Sequence, residues 1–561
     1  MPDSFPHLGA TQSRLLYNGS IITCDDQSSI ASAVWIEGER IRAVGAPHTW
    51  PEQPGPDVPR LDLRGHAVVP GLTDGHAHID REGLLAQLPS LSGAACVSDI
   101  IDRLREIARH TPPGHWIVTG PPGAGPEYLP GPSGLAGGQM PDRHDLDRAC
   151  PDHPVYVRPI WGYWRNQIPL VSCANTQALR RAGITAHTPD PSPEARILRD
   201  AAGEPTGVFE EHTLVPVIEH TLMRCAPGFT AHQRTAALRI GMETYNRYGT
   251  TAVFEGHGVA SEVISAWQTL HEQQALSVRA TLAFSPNWGL QASGDARQLL
   301  SEWGRWLARR GWGDHWLRVQ GLYAEIDTDP LNNQLRAANH PCTGWAGFQA
   351  GAALPREALA ALLIEAAASR IRIAGIWPTL LPLFEQAHRH HPIHDLRWTL
   401  GHQPALDRNQ IAQICDLGLA LTTHTNRHIY KDGDRLAAKY PEDEVVPMRT
   451  LIDRGVLVVP GSDNLPPSLF GPIWHVCARQ TRSGRIIGPD QRISRIEALR
   501  LNTRNGAWLT GDESVRGQIA PGMLADLAVL DANPLDCPLE RLPGIRARCV
   551  IVGGRLIHSD L

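Results

Sequence analysis

Two imidazoles one residue apart, His76 and His78, stand in the stretch Val-Pro-Gly-Leu-Thr-Asp-Gly-His-Ala-His-Ile-Asp at positions 69–80. In extended backbone, side chains two apart point the same way. The pair would therefore offer two neutral nitrogens to one point, which is how a strand end builds half of a site for zinc or a similar divalent ion. A His-x-His pair often arises by chance. Here the apolar run Ala67-Val68-Val69 and the Pro-Gly turn give it a setting.

Positioning such a pair requires a rigid scaffold, and the chain is patterned for one. Residues 15–24, 33–44 and 60–69 are rich in Ile, Val and Leu and broken by Asn-Gly, Glu-Gly and Arg-Gly turns. Residues 525–530 and 547–557 repeat the texture, with a turn at Gly553-Gly554. We expect a small composite β-sandwich domain from both termini, residues 1–70 with 505–561. Between them, apolar strands alternate with helical segments, as in parallel βα folds. Candidate strands are 72–79, 250–255, 279–284, 317–326, 371–376, 397–400, 417–422 and 456–461; residues 356–368, opened by Pro355, form a clear helix. Eight such units predict an α/β fold, a (β/α)8 TIM-like barrel over residues 71–504, with its site at the C-terminal strand ends. His76, Glu255, Glu325, His402 and Asp463 all fall at or just past those ends. A long insertion, about residues 111–247, interrupts the first two units. It carries a predicted strand at 155–158 followed by Trp161, Tyr163, Trp164 and Arg165. Insertions of this length usually serve as lids or binding walls, and those aromatic residues would line a pocket for a flat or apolar substrate.

The 561 residues allow a large core and more than one domain, and 42% hydrophobic with 20% charged residues is ordinary for a soluble globular chain. A net charge of -6 provides no broad basic surface for nucleic acid or anionic lipid. The 26 His and 16 Trp suit a metal pocket with aromatic walls. Ten scattered Cys without a Cys-x-x-Cys pair, no secretory leader and no membrane-length apolar run make a cytoplasmic setting the simplest expectation. Lys431 and Lys439 are the only lysines.

Taken together, the chain resembles the amidohydrolase superfamily, in particular the branch that includes N-substituted formamide deformylases. The resemblance rests on Val69-Pro70-Gly71 with Asp74-Gly75-His76-Ala77-His78, on Gly203-Glu204-Pro205-Thr206-Gly207-Val208 shortly after 197–200, on Gly461-Ser462-Asp463, on Asn502-Thr503, and on 522–526, where Met523 replaces a common lysine. It implies a metal centre to which His76, His78 and Asp463 contribute, with His402 matching the sixth-strand histidine. The fourth-strand lysine of that pattern would fall near Tyr323 and the fifth-strand histidine near Ala374, so both are absent. A centre bridged by a carboxylated lysine is therefore not expected. We expect one divalent ion, zinc, on His76, His78 and Asp463, with His402 as a ligand or its support and Glu255 as the substitute ligand. His424 and His428 follow the seventh strand, and His424 would face the substrate. The superfamily also commonly forms homodimers.

The chemistry implied is hydrolysis of a non-peptide C–N bond in a small molecule: an amide, formamide or cyclic amide. A bound ion lowers the pKa of its water and polarises the carbonyl. Asp463 would take the proton and pass it to the leaving nitrogen, His402 or His257 would donate to the oxyanion, and Arg165 would bind a substrate carboxylate. Two rival readings are a non-hydrolytic lyase or isomerase on the same scaffold, since fold does not fix reaction, and a binding protein with a decayed site.

Overall fold

A computed structural model describes residues 13–123, 134–159, 169–213, 215–288, 296–337, 352–464 and 466–561. Strands from both chain ends join in one eight-stranded sheet. Arg14–Ile22, Ile30–Glu37, Arg40–Gly45, Arg60–Asp62 and Ala67–Pro70 come from the beginning, and Leu527–Leu530, Ala547–Val552 and Arg555–Ser559 from the end. The join is antiparallel, with Leu527 opposite Pro70 and Leu530 opposite Ala67. Side chains alternate between faces. Val68, Leu527, Val529, Cys549 and Ile551 therefore enter one apolar core, whereas Ala67, Val69, Ala528, Leu530, Val550 and Val552 pack into the large central core. The two termini pair as expected, but as one sheet; this pairing does not by itself define the two layers of a sandwich.

In the middle of the chain, Leu72–Asp74, Thr250–Val259, Arg279–Phe284, Leu317–Ala324, Ile373–Gly375, Thr399–Leu400 and Ala420–Leu421 lie side by side in chain order, each parallel to the next. Parallel neighbours need crossovers, and Ser261–Glu272, Arg356–Ala368, Leu381–His390 and Arg408–Asp416 are helical ones. Arg356–Ala368 follows Pro355 and buries Leu359, Leu362, Leu363, Ala366 and Ala367, a stripe at helical spacing. No helix among the described residues is long and apolar enough to cross a membrane.

The curled sheet's first and last strands are bridged by residues 457–463. On one side Leu421 N donates to Leu457 O and Val459 N to Leu421 O, each at 2.9 Å; on the other Gly75 N donates to Pro460 O at 3.3 Å and Asp463 N to His76 O at 3.0 Å. Asn502 pins the same seam, its Nδ2 donating to Thr73 O at 3.0 Å and Pro460 O at 2.7 Å. The approach leaves no room for side chains: a Cβ on Gly461 would lie 2.4 Å from His76 Cβ and 2.6 Å from His76 N.

The insertion is a folded unit. Its five-stranded sheet runs in the order Ala195–Arg199, Pro205–Glu211, Leu170–Ala174, Val155–Val157, Ile117–Thr119, with separate apolar cores built around Val155 and Val157 and around Tyr156 and Phe209. The strand expected at 155–158 is there; its four partners escape pattern reading because runs this short do not separate strand from loop. Helix Ala231–Asn246, inside the expected insertion bounds, instead sends Leu238, Met242 and Tyr245 into the central core.

Two outcomes follow. Gly461→Ala forces a methyl against His76 and should destabilise the fold by roughly 1–3 kcal/mol, the usual cost of overpacking; an unchanged melting temperature would show that the seam opens easily. In the insertion, Glu211 accepts from Val217 N and from Ile218 N at 3.0 Å, and burial pushes its carboxyl from an ordinary 4.5 up to about 7. Between those values unfolding releases a proton, so stability falls as pH rises. Glu211→Gln cannot ionise and should gain on wild type across that window, by at most about 1.4 kcal/mol per pH unit. Melting curves of the two proteins that stay parallel at pH 5 and pH 7 would contradict this.

Candidate metal centre

His76 and His78 lie beyond the end of their strand, which closes at Asp74. Their convergence is therefore not set by strand pleating, as the sequence reading supposed, but by two polar side chains. Asp74 accepts from His76 N at 2.9 Å and, across the seam, from Ser462 N at 3.0 Å and Ser462 Oγ at 2.5 Å. Asn464 brackets His78: its Oδ1 accepts from His78 N at 3.0 Å, and its Nδ2 donates to His78 O at 2.7 Å. Tyr245 OH holds Asn464 in turn, donating to Oδ1 at 2.5 Å. Asp463 and Asn464 have φ of 50° and 62°. Two successive non-glycine residues in the left-handed region store strain that only a firm surrounding network sustains.

His76 is the hub of the site. Its ring centroid lies 5.3 Å from that of His78, 5.4 Å from His257, 5.2 Å from His402 and 4.3 Å from His424. His402 and His424 are 4.1 Å apart, and His428 lies 6.1 Å and 6.0 Å from these two. Among the described residues, two sets bring their ligand atoms within 4.8 Å of one another: His76, His78 and Asp463, and His76, His257 and His402. His78 Nε2 stands 3.4 Å from Asp463 Oδ1, and Arg81 Nη1 stands 3.8 Å from the same oxygen.

Burial dominates the electrostatics. It holds His76, His78, His402 and His424 well below the usual imidazole range and lowers His257 and His428 to about 3. Neutral imidazole is the form that binds a metal. Burial also raises the Asp463 carboxyl to about 7. Neither ring nitrogen of the fully enclosed His76 has a hydrogen-bond partner among the described residues. Such a group is costly to bury, and a ligated ion would satisfy it. Nitrogen donors with one carboxylate suit zinc, so the residues present fit a divalent ion.

The expected residues sort as follows. His76, His78, His402, His257 and Asp463 converge. Glu255, the expected substitute ligand, belongs to neither ligand set; its Oε1 accepts from Ile79 N at 3.1 Å at the start of helix Ile79–Gln87. The period-two spacing fails because the strand's register shifts after Glu255, so Glu255 and His257 no longer share a direction. Burial raises the Glu255 carboxyl well above its usual range, with neighbouring Asp80 adding to the shift. His424, expected to face the substrate, and His428 are buried inside the imidazole cluster. Glu325 accepts from Tyr323 OH at 2.7 Å. Tyr323, where the resembled pattern has lysine, pairs in register with Ala374 and places its ring 5.5 Å from that of His257. Trp161, Tyr163, Trp164 and Arg165 lie outside the described residues.

Sequence reasoning missed Arg81, Asn464 and Trp377. Arg81 had a readable signal, since a helix starting after His78 turns the third residue on back toward it. Asn464 and Trp377, whose ring lies 4.9 Å from that of His402, had none.

The chain and its fold match known proteins along nearly the whole length. The amidohydrolase family model matches residues 61–558, and the chain belongs to that family. It is 26% identical over 576 residues to the N-substituted formamide deformylase of Arthrobacter pascens, covering 97% of this chain and 98% of the relative. The structure of an uncharacterised metal-dependent hydrolase from Pyrococcus furiosus superposes with a TM-score of 0.66 at 19% identity, covering 93% of this chain and all of that one. The zinc complex of atrazine chlorohydrolase from Arthrobacter aurescens gives a TM-score of 0.51 at 16% identity, covering 98% of this chain and 95% of that one.

Removing the bracket around His78 tests the geometry. Asn464→Ala should lower zinc affinity about ten- to a hundredfold, as loss of a ligand's supporting bond commonly does, while circular dichroism stays unchanged. Equal zinc affinity in calorimetry would mean that His78 is positioned without Asn464.

Proposed function

We propose that this chain is a metal-dependent hydrolase of a non-peptide C–N bond in a small molecule, working at the C-terminal ends of a closed (β/α)8 barrel. The single observation carrying this reading is the convergence of buried neutral imidazoles with Asp463 where the first and last strands meet. The seam hydrogen bonds of residues 457–463 support an eighth barrel rung. The relatives named above, an N-substituted formamide deformylase and hydrolases described with a metal, support the reaction class. Trp377 beside His402 and Tyr323 beside His257 are apolar surfaces that suit a flat or apolar substrate.

His76, His78 and Asp463, with His402 as ligand or support, would hold the ion, which we propose is a single zinc; bound there it would lower the pKa of a water and polarise the scissile carbonyl. Asp463 takes the proton of the attacking water and returns it to the leaving nitrogen. Its place in the left-handed turn, held by Ser462 and Asn464, keeps the carboxylate aimed at the cluster. The enclosing walls exclude bulk water and keep the unused imidazoles neutral.

Assay against a panel of formamides, anilides and lactams should release amine. Turnover should fall to background after chelation and return with zinc. Asp463→Asn should reduce kcat by about 10²- to 10⁴-fold, the usual contribution of a positioned acid–base group. Turnover indifferent to chelator, or a product retaining both halves of the amide, would exclude this reaction.

A further inference from the structure

We infer that the end of the parallel strands away from the imidazoles carries a separate binding site, an arginine-lined cavity that takes a small, multiply charged oxyanion of the diphosphate or tricarboxylate kind. This site stands apart from the metal reading and does not depend on it.

The first observation is an excess of charge in a concave place. A cavity of about 370 Å³ lies among Arg309, Arg310, Arg318, Arg370 and Arg397, a size usual for small-molecule sites. Two carboxylates share its walls, and both are engaged. Asp395 accepts from Arg370 Nη2, and Glu513 accepts from Arg397 Nη2 at 2.5 Å and Nη1 at 3.1 Å. Arg318 Nη2 meets Asp512 at 3.3 Å, and Asp512 also serves Arg516. Arg309 and Arg310 are exposed and pair with no carboxylate among the described residues. Five guanidiniums against two carboxylates leave a marked positive excess on a chain whose net charge is -6. A concave wall of one sign focuses its field on an incoming counter-ion.

The second observation is a buried cation behind that wall. Arg372 is 1% exposed. Its Nη1 donates to Leu509 O at 2.7 Å and to Gln320 Oε1 at 3.4 Å, while Nε and Nη2 have no partner among the described residues. The guanidinium lies over the Phe254 ring, 4.4 Å from its centroid. Burial, and after it the charges of Arg397 and Arg318, lower the group to about 9. Gln320 connects it to the cavity, which it lines, and its Nε2 donates to Arg309 O at 2.9 Å. An anion held there would favour the charged form of every guanidinium around it.

The third observation is the backbone. Arg309, Arg370 and Arg397 have φ of 58°, 57° and 54°. Each stands in a turn leading into a strand: Trp312–Gly313, Ile373–Gly375 and Thr399–Leu400. Glycine is the unstrained residue in such turns. Three turns in one wall instead hold arginine, which puts three guanidiniums on the same cavity at a cost to the backbone. A guanidinium presents a planar fork of donors that matches phosphate and carboxylate oxygens in pairs. Several forks converging on one small volume suit an anion with several charged oxygens close together.

Titration calorimetry of the full chain at low salt tests this with pyrophosphate, citrate and, as a singly charged reference, acetate. Pyrophosphate or citrate should bind at one site per chain, about tenfold or more tighter than acetate. The tighter of the two tells a diphosphate site from a tricarboxylate site. Arg309→Gly/Arg310→Ala, which keeps an unstrained turn, should weaken that binding about tenfold or more. Arg310→Ala alone, with a smaller loss, serves if the double variant does not fold. Asp395→Asn removes one competing carboxylate and should tighten binding about two- to fivefold, the worth of one exposed charge. Arg105→Ala/Arg109→Ala removes the same charge from an exposed helix of the insertion and should leave affinity unchanged. Contact of these anions with the metal centre would be common to all variants and leaves the differences between them untouched. Failure of both polyanions to bind, or an equal loss in Arg105→Ala/Arg109→Ala, would overturn the site while leaving the hydrolase reading intact; weaker binding in Asp395→Asn would also count against it.

Discussion

The carboxylate of Asp74 joins the first and last ends of the curled sheet. It is fully buried and accepts from His76 N on its own side and from Ser462 N and Oγ on the other. The two halves of the centre nearest the seam inherit their positions from this clamp: His76 and His78 lie just after Asp74, and Asp463 and Asn464 just after Ser462. The two segments are about 390 residues apart in the chain, so no local preference could bring them together. Burial alone would leave this carboxyl protonated and a poorer acceptor, and it does raise the group to about 7. Three donors favour the ionised form, and Gly75 and Gly461 allow the backbones close enough for those bonds to form.

Inside the clamp the imidazoles form a low-polarity cluster. Desolvation outweighs all other influences on their protonation, and their mutual proximity pushes the same way, since two imidazolium ions 4–5 Å apart repel. The cluster therefore remains neutral over a wide pH range and ready to ligate. Charge enters at its edges. Asp463 meets Arg81, and Asp80, one residue earlier, pairs with Arg234 at 3.4 Å. Helix Ile79–Gln87 thus carries alternating charges against the site, each matched by a partner from another element.

The opposite end of the parallel strands is closed by different chemistry. Arg318 Nη1 donates to Thr510 O and Arg372 Nη1 to Leu509 O, both at 2.7 Å, and Arg397 lies over the Trp508 ring. The carbonyls at the end of helix Arg504–Leu509, left unpaired by the helix itself, are satisfied by guanidiniums rooted at the starts of strands. This stopper stabilises the end away from the imidazoles and leaves the C-terminal strand ends to the chemistry, the division of labour common in such scaffolds.

Much of this arrangement is legible in the residues alone. The first-strand histidine pair, the late Asp463, His402, the order of the parallel strands and the pairing of the two termini all follow from local composition, turn residues and motif resemblance, because each leaves a mark within a few positions. The insertion's sheet left little mark, its strands being too short for periodicity to register. Three decisions belonged to the tertiary structure. A shift in register sends Glu255 to Ile79 N and turns His257 toward His76; packing buries His424 and His428 in the cluster; and one helical turn brings Arg81 back onto Asp463. Sequence determined which side chains with metal and proton chemistry this chain owns. Which of them meet was settled by backbone hydrogen bonds at the seam and by a bulge, long-range geometry that no single stretch of sequence encodes.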